Sequence, residues 1–445
     1  MQDSRIVVKC VLVLFGVCLG FAAVAADDVS KSGCTELCVG RALKPSESPQ
    51  AKDDTASVAA LAKYLEVPLE KRAALEQQPF AVAALSKSEA AAVAKLLWSD
   101  HVAQIRESRA AEMQARELVL GKLKMPFAYE VFGDKPAKGR SLYLSMHGGG
   151  GAPKPVNDRQ WENQKRLYRL QEGVYLAPRA PTDTWDLWHQ SHIDGFFDRL
   201  IENLIVFEEV DPNRVYLLGY SAGGDGVYQL APRMADRWAA ASMMAGHPNE
   251  TSPLGLRNLP FAIHVGALDA AYNRNKIAGE WEQKLADLQR GDPGGYKYLV
   301  KIHAGKGHWM DRDDAEALPW MAPLRRNVFP DRIVWKQDDV LQSRFYWLAV
   351  DTTAIRGRAE VIARRDGQRF DVQSPDVDRL TIRLNDDLAD LELPVSITSG
   401  DKKLFEGRVT RTIATLTKTL NERGDPRAVY SAEVQVEIRQ HRKSD

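Results

Sequence analysis

The chain has 445 residues, 44% apolar and 27% charged, which excludes a disordered or fibrous protein and exceeds what one hydrophobic core normally serves. Lys plus Arg equals Asp plus Glu at 60 each, so no net field favours nucleic acid or an anionic membrane surface as a partner.

Arg5 and Lys9 precede an apolar run, Cys10 to Val24, that ends in the small residues Ala25 and Ala26. That order predicts a secretory signal peptide over 1–26, and with it export to the periplasm or the extracellular space. The alternative is a retained N-terminal anchor. The run is short for a span, and no later segment approaches ~20 uninterrupted apolar residues, so no integral membrane span is expected after signal removal. Residues 27–54, with Pro45, Ser46, Ser48 and Pro49, read as a linker. Cys34 and Cys38 fall within it. Two cysteines four apart can close a small loop in an oxidising compartment but are too few for a zinc site.

Residues 55–130 read as a helical N-terminal region, rich in Ala, Leu, Glu and Lys up to Gly121, with a capping signal at Ser86-Lys87-Ser88-Glu89. Between 131 and 330 the texture changes. Short apolar runs at 141–146, 173–176, 214–218, 239–244, 260–265 and 298–302 predict strands. Helical patterns at 197–206, 223–233 and 277–289 lie between them. Such alternation predicts an α/β domain with a mainly parallel central sheet covered on both faces. From 331 to 445 the alternating stretches 345–350, 379–384 and 434–438 predict a small, mainly β C-terminal domain, interrupted by one helix near 411–422.

The chemistry sits in the middle region. Gly219-Tyr220-Ser221-Ala222-Gly223 follows a predicted strand and opens a predicted helix, the context of a nucleophile elbow, in which the serine occupies a strained turn and glycines give neighbouring elements room. A phosphate-binding glycine turn is the rival, but no Gly-Lys-Ser/Thr ending follows. A serine needs a base and an orienting acid, which in such a fold follow it in the order acid, then histidine, each after a later strand. Asp269 lies beyond the 260–265 strand and His308, in Gly305-Lys306-Gly307-His308, beyond the 298–302 strand. They are preferred over Asp292, Asp311 and His303, which break the expected order or sit at a strand end. His147-Gly148-Gly149-Gly150-Gly151 follows another strand. The backbone N–H groups of Ala222 and of Gly149 or Gly148 are therefore the candidate oxyanion donors. Tyr220, Trp185, Trp188 and His189 are candidate substrate-facing residues, with buried packing as the alternative for the tryptophan and histidine cluster. The nine histidines lack metal-ligand spacing, so no metal or other cofactor is expected.

The stretch Ile193-Asp194 through Asp211-Pro212-Asn213-Arg214-Val215-Tyr216 to Gly219-Tyr220-Ser221-Ala222-Gly223-Gly224, with His147-Gly148 and Gly307-His308, resembles the polyhydroxybutyrate depolymerase and feruloyl esterase branch of the α/β-hydrolases. The resemblance covers residues 140 to 325. It implies an α/β-hydrolase fold, Ser221, Asp269 and His308 as nucleophile, acid and base, and a small or polymeric ester as substrate. Ala222 and the long glycine run depart from the branch's pattern, which leaves the acyl pocket open. A serine peptidase with the same triad, or a surface binding protein with a relict hydrolase core, are the competing readings. The ester's identity, the role of the C-terminal region and the oligomeric state are not legible.

Overall fold

The structure is a computed structural model that describes residues 54–438, so the signal-peptide and linker readings and the Cys34–Cys38 pair lie outside the described residues. Helix α1 (Asp54–Leu65) leads to α2 (Lys87–Ala115), which begins at the capping box: the Ser86 hydroxyl accepts from the Glu89 N–H at 3.3 Å while Glu89 accepts from the Ser86 N–H at 2.9 Å. The region read as helical then departs from expectation. Residues 117–132 form a hairpin, β1 (Glu117–Leu120) and β2 (Leu123–Phe132), turning at Gly121 with φ 59°. In β2, Met125 and Phe127 alternate inward, a period of two that the helix-rich composition upstream obscured.

The chain continues as β3 (Arg140–Met146), α3 (Lys154–Gln164), β4 (Gly173–Pro178), α4 (His192–Phe207), β5 (Val210–Tyr220), α5 (Ala222–Arg233), β6 (Ala240–Met244), β7 (Phe261–Gly266), α6 (Arg274–Gly291), β8 (Tyr298–His303) and the short α7 (Ala317–Met321). The eight strands stand in the order β1-β2-β4-β3-β5-β6-β7-β8, with β1 and β2 antiparallel and the other six mutually parallel. Strands β6 and β7 are buried throughout, as continuous apolar runs between two layers of helices require. This is the α/β-hydrolase fold. Because these strands run parallel, the carboxyl ends of β3, β5, β7 and β8 lie at one rim.

Strands β9 (Arg332–Lys336), β10 (Arg344–Phe345), β11 (Leu348–Ala349), β12 (Glu360–Asp366), β13 (Arg369–Gln373), β14 (Arg379–Leu384), β15 (Val395–Ser399), β16 (Lys402–Gly407) and β17 (Ala432–Glu437) make two further sheets, ordered β10-β11-β14-β17 and β16-β15-β13-β12-β9. Their inner side chains, among them Trp335, Trp347 and Phe370, join one apolar core with Phe196, Leu200 and Trp238 of the hydrolase region. Helix α8 (Ile413–Arg423) packs through Ile413, Leu416 and Leu420 on Leu61, Val93 and Leu97 of the first two helices. A buried set of charges reinforces the junction: Arg326 meets Asp425 at 2.7 Å, Arg423 meets Asp236 at 2.7 Å, and Arg237 meets Asp198 at 2.9 Å. The paired guanidinium groups hold the Asp425 carboxyl down at about 2 despite its burial.

Candidate active site

Strand β5 ends at Tyr220 and α5 begins at Ala222, leaving Ser221 alone in the turn with φ 58° and ψ −121°, a region that costs a side-chain-bearing residue energy. The surrounding glycines make the turn feasible. A Cβ on Gly219 would stand 2.2 Å from the Gly223 carbonyl oxygen, and one on Gly223 would stand 2.2 Å from that of Met146. Two further loops are pressed together in the same way, since a Cβ on Gly266 would lie 2.0 Å from the Gly307 oxygen. That contact sets the loop bearing Asp269 against the loop bearing His308.

The three side chains meet. His308 Nδ1 lies 2.8 Å from Asp269 Oδ2, and His308 Nε2 lies 2.9 Å from Ser221 Oγ. With the proton on Nδ1 donated to the carboxylate, Nε2 is free to accept from the serine hydroxyl. Asp269 is buried, with Arg274 Nη1 3.7 Å from its other oxygen, whereas the imidazole is open to the cleft. The rivals stand elsewhere. His303 Nε2 is 3.2 Å from His264 Nδ1, Asp292 is taken by Arg257 and Arg332, and Asp311 by Lys306.

Gly148 passes directly beside the nucleophile: a Cβ there would be 3.1 Å from that of Ser221. Gly149, with φ 108°, lines the same cleft, and Ala222 is the first residue of α5, where a helix leaves its N–H groups unpaired. The glycine loop is held by a residue that sequence reasoning missed. Buried Asn157, on α3, accepts from the Gly150 N–H at 2.9 Å and donates to the Ala152 carbonyl and to Asp183, each at 2.9 Å. Helix α3 itself lacks an apolar stripe, so neither it nor this asparagine announced itself. His147 is also structural. Its Nδ1–H donates to the Gly148 carbonyl at 2.6 Å and Nε2 accepts from the Ala180 N–H at 3.1 Å, a neutral ring whose burial pushes its pKa down to about 4.

The substrate-facing candidates divide. Tyr220 lines the cleft, and its hydroxyl also donates to the His308 carbonyl at 2.6 Å and accepts from the Met310 N–H at 3.1 Å, tying the histidine loop to the elbow. Trp188 does not face substrate: it is wholly buried, with its indole N–H donating to the His147 carbonyl at 2.9 Å. His189 stacks edge-on with Trp185, and Trp185, 66% exposed, backs Gly150 and Gly151 from outside the cleft. Of these rings, Trp188 supports the backbone that leads into the glycine loop. The cleft measures about 690 Å³ and is lined instead by Gln160, Asn163, Arg166, Leu167, Trp309 and Arg312, beside Ser221 and His308.

Among the described residues His264, His303 and Glu316 lie close enough to share an ion. Lys301 Nζ stands 3.8 Å from the Glu316 carboxylate, and His264 Nε2 is buried without a partner, so the trio lacks the hydrogen-bonded surroundings that orient a ligand set.

Strand order, elbow and array together define an α/β-hydrolase fold carrying a serine, histidine and aspartate in hydrogen-bonded sequence. No family model matches the chain. Over 157 residues it is 29% identical to the "Putative esterase NocK" of Nocardia uniformis subsp. tsuyamanensis, a match covering 33% of this chain and 46% of that relative. The chain thus spans about half the length of the curated relative it matches. Among solved structures, a thermostable esterase aligns with a TM-score of 0.37 at 19% identity, over 47% of this chain and 62% of the other. A ferulic acid esterase aligns at 0.34 and 16%, over 46% and 96%. An S-formylglutathione hydrolase from Agrobacterium tumefaciens aligns at 0.36 and 15%, over 46% and 93%.

Proposed function

We propose that this protein hydrolyses carboxylic esters through an acyl-enzyme formed on Ser221. The observation that carries the reading is the unbroken run of contacts from Asp269 through His308 to Ser221, at 2.8 and 2.9 Å, opening on a cleft. Ser221 Oγ attacks the ester carbonyl carbon as His308 Nε2 takes its proton, and Asp269 steadies the imidazolium that results. The carbonyl oxygen, now negative, turns toward the N–H groups of Ala222 and of Gly148 or Gly149. Collapse breaks the bond to the alcohol, which leaves with the proton from Nε2. Water then attacks the acyl carbon, gives its proton to His308 and frees the acid, and Ser221 recovers its hydrogen.

The charged, apolar and small-residue order of residues 1–26 supports export as part of the same reading. The depolymerase-like character rests on the motif resemblance around residues 140–325. Ser221→Ala protein should lose at least about 10³-fold of the hydrolysis of p-nitrophenyl butyrate, and should no longer be labelled by a fluorophosphonate probe. Wild-type turnover by that variant would overturn the assignment.

A further inference from the structure

The cleft in front of Ser221 is electrically one-sided. Among the described residues its lining includes two guanidinium groups, Arg166 and Arg312, and no carboxylate. Both are exposed, and among the described residues neither makes an ion pair or a side-chain hydrogen bond. The acids nearest to them in sequence are otherwise engaged. Glu162 pairs with Lys165 at 2.6 Å, so Arg166, on the turn after α3, is left uncompensated. Asp311 and Asp313 both turn to Lys306, at 2.9 and 3.1 Å, so Arg312 between them has no counter-charge. Asp311 and Arg312 hold φ values of 55° and 68°, two successive left-handed residues just beyond His308, and this turn is what brings Arg312 to the cleft wall. The other walls are neutral: Gln160 and Asn163 offer amides, and Leu167 and Trp309 offer apolar surface.

Resting on the ester-hydrolase reading, we propose that Arg166 and Arg312 are a specificity pair and that the natural substrate is an ester carrying an anionic oxygen group, such as a carboxylate, away from the scissile bond. A guanidinium presents a planar fork that matches such a group, and two unpaired forks beside a nucleophile lose little by desolvation when an anion arrives. A neutral ester gains the amides and the apolar wall but no charge-assisted contact. The anion can sit on the acid or on the alcohol side of the bond, and the two placements are separable by experiment.

Three phenyl esters of matched length and similar leaving group serve: 4-carbamoylphenyl valerate, the monoester of glutaric acid with 4-hydroxybenzamide, and 4-carboxyphenyl valerate. At low salt the wild-type chain should favour one anionic ester over the neutral one by about tenfold in kcat/KM, a preference that shrinks toward parity in 0.5 M NaCl as the charges are screened. Arg166→Gln and Arg312→Gln should each lower that ratio about threefold, and the double variant should remove it. A wild type with no preference for either anionic ester, or a double variant that keeps the preference, overturns the pair's role. Calorimetric binding of the same three compounds to Ser221→Ala protein separates this outcome from failure of the hydrolase reading. Tighter binding of an anionic ester, lost on adding both arginine substitutions, supports the pair even if no ester is turned over, and equal binding of all three refutes it.

Discussion

The tyrosine that closes the elbow offers a direct measure of how firmly the histidine is held. Tyr220→Phe removes one oxygen and leaves the ring in its nearly buried place against His308 and Trp309. Two hydrogen bonds go with it, the 2.6 Å donation to the His308 carbonyl and the 3.1 Å acceptance from the Met310 N–H. At ~1 kcal/mol each, with the Met310 donor left buried, the variant should be destabilised by about 2 kcal/mol. Urea unfolding followed by tryptophan fluorescence reads that loss. The larger effect should fall on turnover. The imidazole is reached through a loop whose backbone this hydroxyl tethers at His308 itself, and a displacement approaching 1 Å costs about 10²-fold. We therefore expect kcat on p-nitrophenyl butyrate to fall between about 10- and 100-fold, with KM changing far less because the cleft walls remain. A Phe variant with wild-type kcat and an unmoved urea midpoint would refute the reasoning.

Asn157→Ala should unfasten the glycine loop, lowering kcat about tenfold or more on the same ester while Tm drops by several degrees, as three hydrogen bonds at 2.9 Å are lost. Acid should weaken the fold through buried imidazoles: His147 sits at about 4 and His264 at about 3, both below the ordinary value of 6.5, so the unfolded chain binds more protons. Their stabilisation is complete above about pH 6.5 and is lost as pH falls toward 4 for His147, worth about 3 kcal/mol, and toward 3 for His264, and a Tm that stays flat from pH 7 to pH 5 would contradict this. Asp425→Ala leaves buried Arg326 without its carboxylate partner, while Arg237 keeps Asp198, and should cost about 3–5 kcal/mol in chemical denaturation.

The hydrolase region was legible because its signals are local. Six apolar runs became β3 to β8 with ends shifted by a few residues; β4, β6 and β7, buried throughout, need no long-range information to be recognised, while β8 is a half-exposed edge. The elbow at Ser221 and the loops of Asp269 and His308 stood out by strand context, since each follows a run read as a strand of the parallel sheet, β5 and β7 inside it and β8 at its edge. What was missed is relational. The hairpin at 117–132 acquires its meaning from pairing with β4, and Asn157 acquires its role from a loop seven residues earlier in a helix with no apolar face. Trp188 misled in the opposite direction, because aromatic density near a cleft looks the same in sequence whether rings point outward or, as here, support a backbone. The joining of the C-terminal sheets to the hydrolase core is reinforced by Asp236, Arg326 and Asp425, charges that in sequence resemble any solvated surface residue.

The meeting of α2 with α8, sealed by the Leu85 N–H on the Arg411 carbonyl at 3.0 Å, joins residues more than three hundred positions apart. During synthesis the early helices emerge before the α8 residues Ile413, Leu416 and Leu420 that complete their apolar cluster. A nascent chain halted after residue 400 would carry every catalytic side chain and still be unfinished. Shortening the chain ahead of α8 should therefore yield aggregates rather than a smaller enzyme.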